Sequence, residues 1–156
     1  MKDKVIEGYV FHYIQELKPD KDKCELYPHK DYVKKDTHEL YKDIGKGPFC
    51  HFKVETLEHR KGVYLWCVKD EIIYIGETVD MYKRFNSGYG NISPRNCYKG
   101  GQYTNCKMNR VVLDETKKGN KIKLYVCYAD DHQEIEKELL ERHKTKYNEK
   151  DNKLGG

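Results

Sequence analysis

The stretch Gly62-Val63-Tyr64-Leu65-Trp66-Cys67-Val68, followed by Lys69-Asp70-Glu71 and then Ile72-Ile73-Tyr74-Ile75-Gly76, decides the fold. Two runs rich in β-branched and aromatic residues flank three polar ones, which is the pattern of an antiparallel hairpin. Side chains alternate faces along a strand, and residues paired across a ladder share a face. With Lys69-Asp70-Glu71 as an odd loop, Val68 pairs with Ile72, Trp66 with Tyr74, and Tyr64 with Gly76. Tyr64 and Tyr74 then point the same way, and Gly76 leaves open space opposite Tyr64. A two-residue turn would send the two tyrosines to opposite faces.

Toward the C-terminus, Thr78 is placed to cap a short helix to Asn86, with Met81 and Phe85 on one face and Gly88 as its stop. Residues 88–103 are glycine-rich and read as a long loop. Thr104 can cap a second helix whose Met108, Val111 and Val112 share a face; Lys117, Lys118 and Gly119 end it. Ile122 to Ala129 is a third strand. Asp131 and Glu134 make an acidic variant of the capping box and open a last helix to about Tyr147, burying Ile135, Leu139 and Leu140. The order strand, strand, helix, helix, strand, helix predicts an α+β domain with a small three-stranded antiparallel sheet flanked by helices.

Toward the N-terminus the signals weaken. Residues 1–60 read as an extension packed on a core domain at 61–150, with 151–156 as a tail. Tyr9 to Ile14 favours a strand, yet Ile6, Val10, Tyr13, Ile14 and Leu17 also fit a helical stripe. Residues 18–48 are polar loop, and Phe49 to Val54 is a candidate strand.

A length of 156 residues suits one compact core. Charged residues make up 36% and apolar ones 37%, with no run of 18 apolar residues, so no membrane span is expected. Met1-Lys2-Asp3-Lys4 is not followed by a long apolar run, which argues against a signal peptide and for a cytoplasmic protein. Cysteines stand at 24, 50, 67, 97, 106 and 127. Cys67 and Cys127 lie in apolar runs and read as core. Cys97 and Cys106 lack a common zinc spacing, and Cys50-His51 adds one weak zinc candidate. The net charge is only +4, but residues 79–125 carry ten Lys/Arg against three Asp/Glu. That basic segment suits a polyphosphate partner.

Beyond the hairpin, Arg84 follows Tyr74 by the interval that separates the two tyrosines, and a Glu136…Asn148 pair comes late. Glu136 lies four residues before Leu140, so it borders the apolar face of its helix. A carboxylate at such a margin is paired or binds metal. With Gly62-Val63-Tyr64 and Tyr74-Ile75-Gly76, these residues resemble the GIY-YIG nuclease family over roughly residues 61–148. The first triplet carries Val63 where the family name has Ile.

The resemblance implies phosphodiester hydrolysis in DNA, with RNA as the other polymer, by Tyr64, Tyr74, Arg84, Glu136 and Asn148. Tyr64 helps activate the attacking water. A tyrosine titrates near pH ~10 and needs a cation or a metal-bound water to act as a base. Arg84 stabilises charge on the phosphate oxygens. Glu136 is the single protein ligand to a divalent cation, Mg²⁺ or another such as Mn²⁺, and Asn148 ties the chain end back to the site. Cutting both strands needs two sites, hence a homodimer or sequential nicks.

Lys83, Arg95, Lys99, Lys107 and Arg110 are the expected nucleic-acid contacts, and Tyr89, Tyr98 and Tyr103 could stack on exposed bases. One departure stands out: Glu77 follows Tyr-Ile-Gly where many relatives, including excision-repair members, place a lysine. Glu77 therefore favours the alternative of a non-catalytic nucleic-acid-binding module on the same fold. A third reading, a Cys/His metal protein, rests on spacing alone.

Overall fold

The computed structural model describes residues 2–20, 24–25, 47–98 and 100–148. The chain divides into two units. The first takes residues 2–17, 56–82 and 121–148 of the described chain; the second falls within 18–55 and 83–120.

The first unit is an antiparallel sheet of five strands with one helix against it. Strands β1 (Lys4–Ile6), β2 (Tyr9–Leu17), β5 (Gly62–Val68), β6 (Glu71–Thr78) and β7 (Ile122–Tyr128) lie in the order β1-β2-β7-β5-β6. The expected three-stranded sheet is thus corrected to five, because residues 4–17 contribute a hairpin that pairs with β7. Glu7 and Gly8 form its turn at φ 50° and 84°. Two consecutive positive φ values match the right-handed twist of the flanking strands. The helical stripe seen in this segment comes from a bulge. Tyr13 pairs with Tyr125 and Gln15 with Leu124, so Ile14 is an extra residue that switches the faces of everything after it.

Strand β5 lies between β7 and β6 and is buried on both faces, which explains its unbroken apolar run. On one face Phe11, Val63, Leu65, Cys67, Ile75 and Tyr125 pack with Ile135 and Leu139 of helix α3 (His132–Arg142). Tyr64, Trp66, Leu124 and Val126 alternate with them and are also buried. Helix α3 stops at Arg142, short of Tyr147, because His143 is extended (φ −127°, ψ 120°). A further helical turn covers 146–148.

In the second unit, the two-residue strands β3 (Cys24–Glu25) and β4 (Phe49–Cys50) pair with each other. The remaining residues of the candidate strand Phe49 to Val54 lie outside the ladder. The short helix α1 (Met81–Lys83), whose first two residues belong to the first unit, leads into π-helical turns at Arg84–Tyr89, so the helix passes through Gly88 rather than stopping there. Helix α2 (Tyr103–Lys117) begins after Gln102, not at a Thr104 cap. Its other end follows expectation. Gly119 sits at φ 83°, its amide donates to Thr116 O at 3.0 Å, and the Asn120 amide donates to Glu115 O at 2.9 Å. These two bonds satisfy carbonyls that the helix end leaves open. The glycine-rich loop is partly ordered as a 3₁₀ turn over Pro94–Cys97. Residues 26–46 and 149–156, with the calls made on them, lie outside the described residues. No helix among the described residues is long and apolar enough to cross a membrane.

Candidate active site

The hairpin reaches the expected result by an unexpected route. Its loop is the two residues Lys69 and Asp70, with Val68 paired to Glu71 and Lys69 at φ 56°. That turn alone would have separated the tyrosines. The register then shifts: Cys67 pairs with Ile72 and Trp66 with Tyr74, leaving Ile73 as a bulge in β6. One extra residue restores parity. Tyr64 pairs with Gly76 as expected, and the rings of Tyr64 and Tyr74 lie 6.4 Å apart by centroid on a shared face.

The open space expected over Gly76 does not exist. A Cβ built at Gly76 would overlap the phenol of Tyr64, so the ring itself fills that volume. Gly76 is required for close approach of a side chain rather than of a phosphate. Tyr64 is 1% exposed and Tyr74 6%.

β6 is an edge strand, and side chains close its outer edge. The Ile75 amide donates to Asn148 Oδ1 at 2.8 Å, and Asn148 Nδ2 donates to Ile75 O at 2.9 Å. Asn148 therefore does the work of a neighbouring strand for one residue. Thr145 holds it in that orientation, donating to Asn148 Oδ1 at 2.5 Å and accepting from the Asn148 amide at 3.1 Å. Two residues along the same edge, Glu77 lies beside the Glu136 carboxyl group. Glu136 is half-buried in the second turn of α3. Burial, and then the charge of Glu77, push its carboxyl up to about 7, while the Glu77 amide pulls the other way.

Glu77 has a partner that sequence reasoning missed. Its Oε2 lies 2.5 Å from Nδ1 of His132, which is 5% exposed. The available signal was the spacing of His132 and Glu136, which places them one turn apart on α3 beside the buried Ile135. Among the described residues no group of three or more His, Cys, Asp and Glu side chains is placed to hold a metal ion. Cys50, Cys67, Cys106 and Cys127 are thiols and form no disulfide.

The other expected residues belong to the second unit. Arg84 opens the π-helical turns; its Nη1 donates to Asn105 Oδ1 at 2.9 Å and to Gln102 Oε1 at 3.4 Å. Its guanidinium lies 4.3 Å over the ring of Tyr89. Asparagines again stand in for strands here. Asn109 bonds both the amide (3.0 Å) and the carbonyl (2.8 Å) of Cys50, and Asn86 does the same for Val54 at 2.7 and 3.0 Å.

Of the expected nucleic-acid contacts, Lys83 and Arg95 are exposed. Arg110 donates from Nη1 to Gly47 O at 2.9 Å. Lys99 lies outside the described residues. Lys107 is a correction: residues 105–109 of α2 are all buried, and Lys107 is 6% exposed rather than open to a phosphate backbone. The stacking role expected of Tyr89 and Tyr98 is corrected likewise, since they are 0% and 5% exposed. Tyr103 is half-buried.

Searches of the curated proteins and of the solved structures each return no match. The family model for the GIY-YIG catalytic domain matches residues 60–148, which takes in the hairpin, Arg84, Glu136 and Asn148. The chain belongs to the GIY-YIG family, whose catalytic domain has a nuclease-type fold.

Proposed function

We propose that this chain is a metal-dependent endonuclease that hydrolyses phosphodiester bonds in DNA. The observation that carries the reading is Glu136. It is a half-buried carboxyl group beside a second carboxylate, at the edge of the hairpin that bears Tyr64 and Tyr74. A carboxyl pushed up to about 7 by burial and a like charge is one that a divalent cation would stabilise in its ionised form.

The donor set suits Mg²⁺ or Mn²⁺, which take one or two carboxylates and fill their remaining positions with water and substrate phosphate. Glu136 would hold the ion, and when bound the ion supplies charge stabilisation at the scissile phosphate. The chain's own residues do the rest. Tyr64 helps take the proton from the attacking water, and Tyr74 shares its face. Arg84 offers a fixed fork of donors to the non-bridging oxygens. Asn148 keeps the edge of β6, and with it the spacing of Tyr74 and Gly76, from fraying. Lys83 and Arg95 contribute contacts to the phosphate backbone.

Incubation with supercoiled plasmid tests the reading. Nicked and linear products with Mg²⁺ or Mn²⁺, and none with EDTA, are expected. The second reading, a non-catalytic nucleic-acid-binding module, is favoured by Glu77, an acid where relatives carry a cation. DNA binding without cleavage under either ion would select it.

A further inference from the structure

We propose that His132 and Glu77 form a clasp that positions Glu136, making His132 a positioning residue for the hydrolysis proposed above, on which this inference rests. Three features meet at one point of the first unit. Glu77 lies beside the Glu136 carboxyl group, and its charge and its amide both act on that group. The side chain of Glu77 is bonded to His132 at 2.5 Å. His132 and Glu136 lie one turn apart on α3. Glu77 is therefore tied to this helix by its side chain, one turn from the group that must be oriented, and stands beside that group itself.

The clasp also accounts for an acid at this position. A carboxylate on the residue beside Glu136 could swing toward it and compete for the same ion. Bonding to His132 turns Glu77 Oε2 to a fixed partner. His132 is 5% exposed, so water is a poor substitute for that bond. Glu77 remains 26% exposed on its side chain, consistent with a carboxylate anchored at one oxygen rather than enclosed. The rival account is that His132 is a core histidine that happens to be satisfied. It predicts that losing His132 affects stability alone.

The experiment uses the full chain and three readouts: steady-state cleavage of a duplex oligonucleotide, Mn²⁺ affinity of the metal-free protein by calorimetry, and hydrogen exchange of the Glu77 amide by NMR. His132→Ala is expected to lower kcat about 10-fold or more with little change in KM, and to weaken Mn²⁺ binding by a similar factor, the scale for loss of a group that orients a ligand. It should also speed exchange at Glu77. His132→Asn, which restores an N–H donor near Nδ1, should recover most of each.

Unchanged kcat, Mn²⁺ affinity and Glu77 exchange in His132→Ala would overturn the clasp, whatever happens to the melting temperature. Should His132→Ala fail to fold, Glu77→Ala and Glu77→Gln decide. Gln keeps an acceptor for Nδ1–H and should lose much less than Ala; equal losses would overturn the inference. If the wild-type chain cleaves nothing, the nuclease reading fails, but Mn²⁺ affinity and Glu77 exchange still test the clasp.

Discussion

The two edges of the five-stranded sheet are finished in different ways. At one edge, β1 is three residues long, with Val5 65% exposed, opposite Val10 at 46%. Shortness is its protection against pairing with another chain. At the other edge, β6 is eight residues long; the Asn148 side chain closes it at Ile75, and Glu136 stands beside Glu77. Both side chains at this edge are ones the proposed function uses. On that proposal, protecting a sheet edge and placing the metal-binding carboxyl group fall to the same strand, β6, and no task of that kind falls to β1.

The largest expected effect separates the two tasks. Glu136→Gln keeps the shape of the side chain and removes the ligand charge, so it should abolish cleavage while the chain stays folded. Circular dichroism and the plasmid assay check it together. Full cleavage in this variant would sink the metal role and leave Glu136 as a half-buried neighbour of Glu77 only.

Arg84 supplies a contrast, because the partners described for it are the side chains of Asn105, Gln102 and Tyr89 rather than a strand edge. Arg84→Ala should lower turnover on the order of 10²-fold if it stabilises transition-state charge. Arg84→Lys should rescue poorly because the fork is lost. Unchanged turnover with weaker DNA binding would reassign Arg84 to holding substrate.

Asn148→Ala should open β6. It removes two hydrogen bonds to Ile75, each worth about 1 kcal/mol, so urea unfolding should show a loss of about 2 kcal/mol along with reduced cleavage. A loss of cleavage at unchanged stability would separate Asn148's catalytic support from edge closure.

The sequence disclosed the faces of this hairpin but not the path to them. Pairing of Tyr64 with Gly76 and Trp66 with Tyr74 followed from alternation. The loop of two residues and the compensating bulge at Ile73 did not, because two register errors of opposite sense cancel and leave the pattern unchanged. The bulge at Ile14 had the opposite consequence: uncompensated, it made strand β2 look half helical. Glu136 was found from the family pattern, and its place at the margin of an apolar stripe agreed with it. His132 was not: its spacing to Glu136 was the one local sign, and its partner Glu77 lies 55 positions away. Lys107 was misjudged because a segment's charge says nothing about which side of a helix is enclosed.

Glu136 also gives β6 a pH signature. Its carboxyl is pushed up to about 7 from an ordinary 4.5. Between those values the folded chain keeps a proton that the unfolded chain has released, so this group makes stability fall as pH rises through the window. Urea unfolding of metal-free protein from pH 4.5 to pH 7 should show that fall, and Glu136→Gln should flatten it. A profile identical in both proteins would place Glu136 in a more solvated setting.

The smallest effect belongs to the other edge. Val5 is exposed and sits on a strand with one neighbour, so Val5→Lys removes little buried surface and adds a charge of the kind that guards edges. The expected stability change is within about 0.5 kcal/mol. Urea unfolding beside Asn148→Ala makes the contrast direct: two substitutions on opposite edges of one sheet, one costing several times the other. A loss of about 2 kcal/mol from Val5→Lys would mean that β1 is covered in solution, and sedimentation of the two proteins would then show whether a second copy provides the cover. In that case both edges would be closed, one by the chain's own side chains and the other by a partner strand, and the difference between them would lie in what covers each edge.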